Sequence, residues 1–284
     1  RSWQFRIVDK LGSEKHISWV IWGNDLYGPV KNNPRSFPAH KIKSINSAFE
    51  GDRNLFKKHF HQIDDFEFGY PIPGLYKRTG KSSEAEKSNI ILVGNSLDPS
   101  NNHIEILNEL ASKKDVADYK IILPVSYGNY PEYKKELLSH ISNMDIRESI
   151  ELYEEFLTPD EYATLISKSK LLIMAHHRQK AMGNIIASLY FGNATFFRKH
   201  ITIKKGEHAI NPGWATLESD GVVPYEYDKF STYESISDIP QYSSEEANKI
   251  RKTLTDRYGI QTKSDQLIRA CRAIADSNRK KQTV

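Results

Sequence analysis

From Asn89 onward the chain alternates short apolar runs with longer amphipathic stretches. Asn89–Val93 (NIILV), Tyr119–Val125 (YKIILPV), Ser149–Leu152, Lys170–Ala175 (KLLIMA) and Ala194–Phe197 have the length and β-branched content of buried parallel strands. Between them, apolar positions recur at helical spacing. Ile104, Leu107, Leu110 and Ala111 follow the first run, Pro131–Ile141 the second, and Asn184–Phe191, stopped by Gly192, the fourth. Thr158, Pro159 and Glu161 carry a helix-start signature after the third run: Thr as cap, Pro in the first position, Glu reaching back. The first helix has two possible starts, Asp98 with Pro99 or a capping box of Asn102 with Glu105. This βαβ alternation predicts a doubly wound parallel sheet, followed by helices over Ser244–Tyr258 and Lys263–Arg279 with Gly259 between them.

The first 78 residues are less regular. One strand is expected at Ile17–Trp22, and the polar stretch Thr79–Ser88 (TGKSSEAEKS) reads as a linker. The expected division is therefore residues 1–80 as one domain, 81–258 as a second, and a helix over 259–284 that braces both. Asn54–His61 (NLFKKHFH), with Lys41 and Lys43 before it, mixes aromatics with positive charge; it suits either an anionic membrane surface or an ordinary amphipathic helix.

Composition narrows the class. The 284 residues suffice for two modest cores, and 38% hydrophobic with 27% charged residues describes a folded, water-soluble chain. No run approaches the ~20 apolar residues of a spanning helix. The single cysteine, Cys271, excludes a disulfide framework within the chain and fits a reducing cytoplasm. The net charge of +4 suits an anionic partner without naming one. No nucleic-acid-binding module is recognisable, so nucleic acid is not an expected partner. The chain starts at Arg1 rather than Met, which leads us to expect an N-terminally trimmed first domain.

In an open parallel sheet, ligands bind beyond the carboxyl ends of the strands. Gly94-Asn95-Ser96, followed by Asp98–His103, offers close backbone approach and helix N-terminal amides for a phosphate. Tyr127 and Gly128, in Ser126–Asn129, could stack on a base or bond a sugar. Glu151–Phe156 could meet a ribose and base, although Glu154 and Glu155 read better as solvated charges. The loop His176–Asn184 holds Arg178, whose guanidinium can pair two phosphate oxygens, beside Gln179, Gly183 and Asn184. His176 and His177 lack a suitably spaced acidic or cysteine partner, so no metal site is expected. No G-x-G-x-x-G, P-loop or D-x-D pattern is present, and no cofactor is expected.

Trp19–Tyr27 (WVIWGNDLY), Ile91–Ser96 (ILVGNS) with Asn101–His103 (NNH), and His177–Asn184 (HRQKAMGN) together resemble the bacterial TDP-N-acetylfucosamine:lipid II N-acetylfucosaminyltransferase family. The resemblance runs from about Trp19 to about Phe197. It implies a GT-B-like α/β fold of two Rossmann-like domains, the N-terminal one truncated, with the donor cleft between them. It also implies metal-independent, inverting transfer of 4-acetamido-4,6-dideoxygalactose from TDP to a polyprenyl-pyrophosphate-linked saccharide, peripheral to the cytoplasmic face of the inner membrane. On that reading Gly94, Asn95, Ser96, Tyr127, Gly128, His177, Arg178, Gln179, Gly183 and Asn184 bind the donor, and Arg178 stabilises the leaving diphosphate. Asp25 is the leading candidate for the base, with helix capping its equal alternative, and His16, His40 and His103 lesser ones. Leu97 and Lys180-Ala181-Met182 stand where the family has glycine. Two alternatives remain: transfer of another nucleotide-linked sugar to an O-antigen or a protein, and a nucleotide-sugar-binding module without turnover.

Overall fold

The computed structural model describes residues 7–8, 10–11, 16–32, 38–69 and 86–282. Most of the expected linker, Thr79 to Ala85, lies outside the described residues. Two parallel sheets organise the rest. The first has β1 (Ser18–Val20), β2 (Ser44–Ser47) and β3 (Asp64–Glu67) in the order β1-β2-β3, connected by α1 (Asn24–Asn32) and α2 (Glu50–His59). The strand expected at Ile17–Trp22 is shorter, and Ile21 and Trp22 already belong to the loop after it.

β2 and β3 read SINS and DDFE, so no run of apolar residues announces them. All four residues of β2 are nevertheless buried. Hydrogen bonds compensate for the desolvation: Ser44 Oγ and Asn46 Nδ2 donate to Ser18 Oγ at 2.8 and 2.6 Å, and Ser47 Oγ donates to Asp52. α2 takes up most of the basic–aromatic stretch Asn54–His61. Its Leu55 and Phe56 are buried against Leu26 and Ile45, while Arg53 and Lys57 pair with Asp65 and Lys58 with Glu207. The amphipathic-helix alternative describes this segment; its fully buried Phe56 is not a membrane-facing side chain.

The second sheet is wholly parallel, in the order β11-β8-β7-β4-β5-β6. It contains β4 (Ile90–Val93), β5 (Lys120–Pro124), β6 (Ile150–Tyr153), β7 (Leu171–Met174), β8 (Ala194–Phe197) and the short β11 (Tyr225–Glu226). The intervening helices are α3 (His103–Ala111), α4 (Pro131–Ser142), α5 (Pro159–Lys168) and α6 (Met182–Tyr190). Successive residues of β4, Ile91 and Leu92, enter separate cores on opposite faces, which is why the strand is apolar at both. Burying each such side chain contributes about 1.5–3 kcal/mol.

The Thr158–Glu161 capping box is formed, but the one at Asn102 and Glu105 is not. Asp98 caps a short turn over Pro99–Asn101 by accepting from Ser100 N at 2.9 Å. Asn102 stands at the helix start in a left-handed conformation and donates its side-chain amide to the Ala175 carbonyl instead; Glu105 pairs with Arg198. After β8 come an unanticipated hairpin, β9 (His200–Lys204) with β10 (Glu207–Ile210), and α7 (Pro212–Ser219). Ile201 and Ile203 of that hairpin pack into the core of the first sheet. The chain closes with α8 (Ser244–Tyr258) and α9 (Ile260–Gln282). They return to the first sheet: Arg257 pairs with Glu67 at 3.1 Å, and Gln266 Nε2 donates to the same carboxylate at 2.9 Å.

Candidate active site

In the second sheet the strand order runs outward from β4 through β5 to β6 on one side and from β7 to β8 on the other. The switch point therefore lies between β4 and β7, where an open α/β sheet leaves a crevice beyond its carboxyl ends. The two loops there are Gly94-Asn95-Ser96 and His176–Ala181. Gly94 has a φ of +69°, and a Cβ added to it would lie 2.7 Å from His103 Nε2 and 2.9 Å from Asn101 Oδ1. Only glycine lets the loop lie this close to the buried Asn101, whose Oδ1 accepts from Asn95 N at 3.0 Å and contacts His176 Nε2 at 3.0 Å. Burial lowers the pKa of His103 to about 4 and pulls that of His176 well below the ordinary histidine range. Both rings are neutral braces behind the loop.

Beyond Gly94 lies a pocket of about 340 Å³ at the ends of β4, β5 and β6. Asn95, Ser126, Tyr127, Tyr153, Phe156, Tyr162 and Asn184 are among the residues that line it. The Tyr127 and Phe156 rings are nearly parallel, 14° apart with centroids 6.4 Å apart, and Asn95 Nδ2 donates to the Tyr127 hydroxyl at 2.6 Å. Asn184 bonds Tyr162 OH at 3.0 Å, so the start of α6 forms one wall. Gly128, in contrast, packs its backbone on Leu97 and Asp98. Glu154 pairs with Lys134, as its reading as a surface charge requires.

At the N-terminus of α6 the charges concentrate. Lys180 Nζ lies 2.9 Å and Arg178 3.9 Å from Asp98 Oδ2. Partial burial opposes ionisation of Asp98, yet hydrogen bonds from Lys180 and Ser100 hold its pKa down to about 2. Burial pulls Lys180 below the usual lysine range, against the pull of Asp98. Ala181, the residue before α6, has a φ of +57°, a left-handed conformation that favours glycine. The loop keeps the backbone geometry of a glycine-rich turn without the glycine.

On the other side of α6 a cleft of about 480 Å³ separates the two sheets. Arg178, Gln179, Lys180 and Gly183 line one wall; Val20, Ile21, Trp22, Ser47, Phe49, Asp52 and Gly69, from the carboxyl ends of β1, β2 and β3, line the other. The halves touch at Gly23, where a φ of +99° and a 2.8 Å approach of Gln179 Oε1 to any added Cβ require glycine. Of the residues expected at the donor site, Gly94, Ser96, Gly128 and His177 line neither cavity, and the His177 side chain is exposed.

Asp25 serves as a brace. Its carboxylate accepts from Trp19 Nε1 at 2.9 Å, from Trp22 N at 3.0 and 3.2 Å, and from Leu26 N at 3.1 Å, so it ties β1 to the start of α1. Among the lesser candidates, His40 lies in an exposed turn and His16 contacts Ser44 Oγ at 3.1 Å. Among the described residues no group of three or more His, Cys, Asp or Glu is arranged to hold a metal ion, and no helix is long and apolar enough to cross a membrane. Lys180 and Asp52, which line the cleft, were not singled out by the sequence. Lys180 sat within a selected loop, but Asp52 had no signal beyond its charge.

Two parallel sheets facing each other across a cleft, each presenting the carboxyl ends of its strands, make this a GT-B-like α/β fold, and solved structures agree. The Anabaena protein Alr3699/HepE, crystallised with UDP-glucose, aligns at a TM-score of 0.62 with 12% identity over 91% of this chain and 72% of its own. A glycosyltransferase from Rickettsia africae ESF-5 aligns at 0.61 with 14% identity, covering 91% and 70%. The N-terminal domain of Candida albicans trehalose-6-phosphate phosphatase aligns at 0.61 with 12% identity; this chain covers 65% of its length, and 92% of this chain is aligned. Residues 3–203 match the 4-alpha-L-fucosyltransferase family, glycosyl transferase group 56, and the chain belongs to that family.

Proposed function

We propose that this chain transfers a sugar from a nucleotide-sugar donor, with the nucleoside held against the second sheet and the acceptor brought in across the cleft. The observation that carries the reading is the continuity of the site: the aromatic pocket, the cationic start of α6 and the cleft follow one another along the carboxyl ends of the strands. A base fits the pocket of Tyr127 and Phe156, and a diphosphate fits Arg178, Lys180 and the free amides of α6. The sugar then projects toward the first sheet. With the leaving diphosphate met by two side-chain cations and a helix N-terminus, transfer proceeds without a divalent ion.

The finer reading follows the family. We propose TDP as the donor nucleotide, because the apolar wall of Pro124, Tyr153 and Leu157 suits a thymine methyl group. The sugar is an N-acetylfucosamine-like deoxyamino sugar, and the acceptor a polyprenyl-pyrophosphate-linked saccharide met at the cytoplasmic face of the inner membrane. The reaction inverts the anomeric centre. Residues 1–80 and 81–258 act as acceptor-side and donor-side domains, with the helix beyond 259 bracing them.

Calorimetric titration with TDP, UDP and GDP in the presence of a chelator tests the reading. TDP should bind most tightly, and Arg178→Ala should weaken it at least tenfold. Failure of all three nucleotides to bind would refute the donor site.

A further inference from the structure

Inverting transfer needs a group that removes the proton of the attacking hydroxyl. Asp25 is poorly placed for this task, because backbone amides and an indole already occupy its oxygens. A second carboxylate lies nearby on the cleft wall. Asp52 stands in the first turn of α2, just beyond the carboxyl end of β2, and faces the wall that carries Arg178 and Lys180. Asp52 is 1% exposed, yet it makes no ion pair among the described residues: the adjacent Arg53 is engaged by Asp65 and the Ser47 carbonyl.

We propose that Asp52 is the catalytic base of this reaction, taking the proton of the attacking acceptor hydroxyl, and that Tyr27 and Ser47 hold its carboxylate in place. The proposal rests on the glycosyl-transfer reading above. Among the described residues two donors reach the Asp52 carboxylate, both hydroxyls: Tyr27 OH to Oδ1 at 2.8 Å and Ser47 Oγ to Oδ2 at 3.3 Å. A carboxylate has about four acceptor positions, so lone pairs are left for a substrate hydroxyl. Tyr27 in turn feels the positive charge of Arg178. The base and the leaving-group cation therefore share one electrostatic neighbourhood.

Burial raises the Asp52 pKa to about 6; Asp25, across from it on α1, pushes the same way, while the two hydroxyls and Arg53 oppose. A carboxylate of that pKa is ionised at neutral pH and a stronger base than a solvated aspartate. In the step itself the acceptor oxygen bonds the anomeric carbon as its proton passes to Asp52. The bond from that carbon to the diphosphate oxygen breaks, and the electron pair leaves on the diphosphate, facing Arg178 and Lys180.

The test compares wild type, Asp52→Asn and Tyr27→Phe, using TDP-linked 4-acetamido-4,6-dideoxygalactose and a short-chain polyprenyl-diphosphate saccharide. Asp52→Asn should bind TDP within twofold of wild type and lose at least a hundredfold in kcat, and the rise of kcat through pH 6 should vanish. Tyr27→Phe should move that rise to higher pH, because it removes a donor that favours the carboxylate; a purely structural role for Asp52 would leave the profile in place. Wild-type transfer that survives in Asp52→Asn within tenfold overturns the assignment of the base alone. Absence of transfer by TDP-bound wild-type chain overturns the glycosyl-transfer reading along with it. Carbon-13 NMR titration of Asp52, independent of turnover, should give a value near 6; one near 4 also overturns the proposal.

Discussion

Asp98 is the natural target for probing the charge balance of the proposed donor site, because one carboxylate faces both Lys180 and Arg178, the cations proposed to meet the diphosphate. Asp98→Asn preserves an oxygen that can accept from Ser100 N while removing the charge that holds Lys180 at 2.9 Å and Arg178 at 3.9 Å. The pKa of about 2, against an ordinary value of 3.8, bounds the stabilisation of the folded state near 2.5 kcal/mol. With the Asp98 side chain 24% exposed, solvent screening reduces this to about 1–2 kcal/mol. A depressed carboxylate pKa stabilises the fold above pH ~4 and ceases to do so as pH falls through about 2. The variant should therefore unfold at lower urea than wild type at pH 7, with the difference closing toward pH 2. Ligand binding should change in the opposite direction. A diphosphate arriving beside Asp98 meets a negative charge and must share its cations, so the neutral variant should bind TDP about five- to thirtyfold more tightly, or about 1–2 kcal/mol. Calorimetry at two salt concentrations measures this. Weaker binding by Asp98→Asn would refute the reasoning and recast Asp98 as the group that aims the two cations.

Gly23→Ala should destabilise by about 2 kcal/mol or more and lower transfer activity. It places a Cβ 2.8 Å from Gln179 Oε1 at a φ of +99°; thermal unfolding close to wild type would show that the two loops separate freely. Phe156→Ala should weaken TDP about tenfold, the scale of one lost stacking contact, yet leave inorganic pyrophosphate binding unchanged; equal losses for both ligands would remove the base from this pocket. Because burial raises the Asp52 pKa, its ionisation costs stability as pH rises from about 4 to about 6. Asp52→Asn should therefore be more stable than wild type by about 2–3 kcal/mol at pH 8, with no gain at pH 4, as read from urea midpoints at the two pH values.

The parts of the fold visible in the sequence are those built on apolar contrast. β4, β5 and β7 are buried on both faces, so their runs stand out, and the loops that follow them could be chosen on topology alone. The Thr158 capping box was legible because its chemistry is local. β2 and β3 were not, because the polar side chains of β2 are supported by hydrogen bonds to Ser18 of β1, and Asp65 of β3 by Arg53 and Lys57 of α2. Asp52 escaped notice for the same reason. Its surroundings are assembled from Tyr27, Ser47 and the opposite wall of the cleft, and no short motif records that meeting. In α2 the mixture of Phe and Lys gave an ambiguous signal; burial of Phe56 and pairing of Lys57 resolve it. Asp98 was read as a cap at the start of a candidate phosphate-facing stretch, whereas Lys180 makes it an electrostatic partner of the His176–Ala181 loop.

The contacts of Glu67 with Arg257 and Gln266 connect β3 with helices that follow it far along the chain. During synthesis the first sheet leaves the ribosome roughly 190 residues before Arg257 does, which at ~5–20 residues per second is some ten to forty seconds. Once Asn184 has been made, in the later part of that interval, the nascent protein holds the loops after β4 and β7 but still lacks the ties that fasten β3 to α8 and α9. The ties of β3 to α8 and α9 can therefore form only once Arg257 and Gln266 have been made, after the loops that line the cleft.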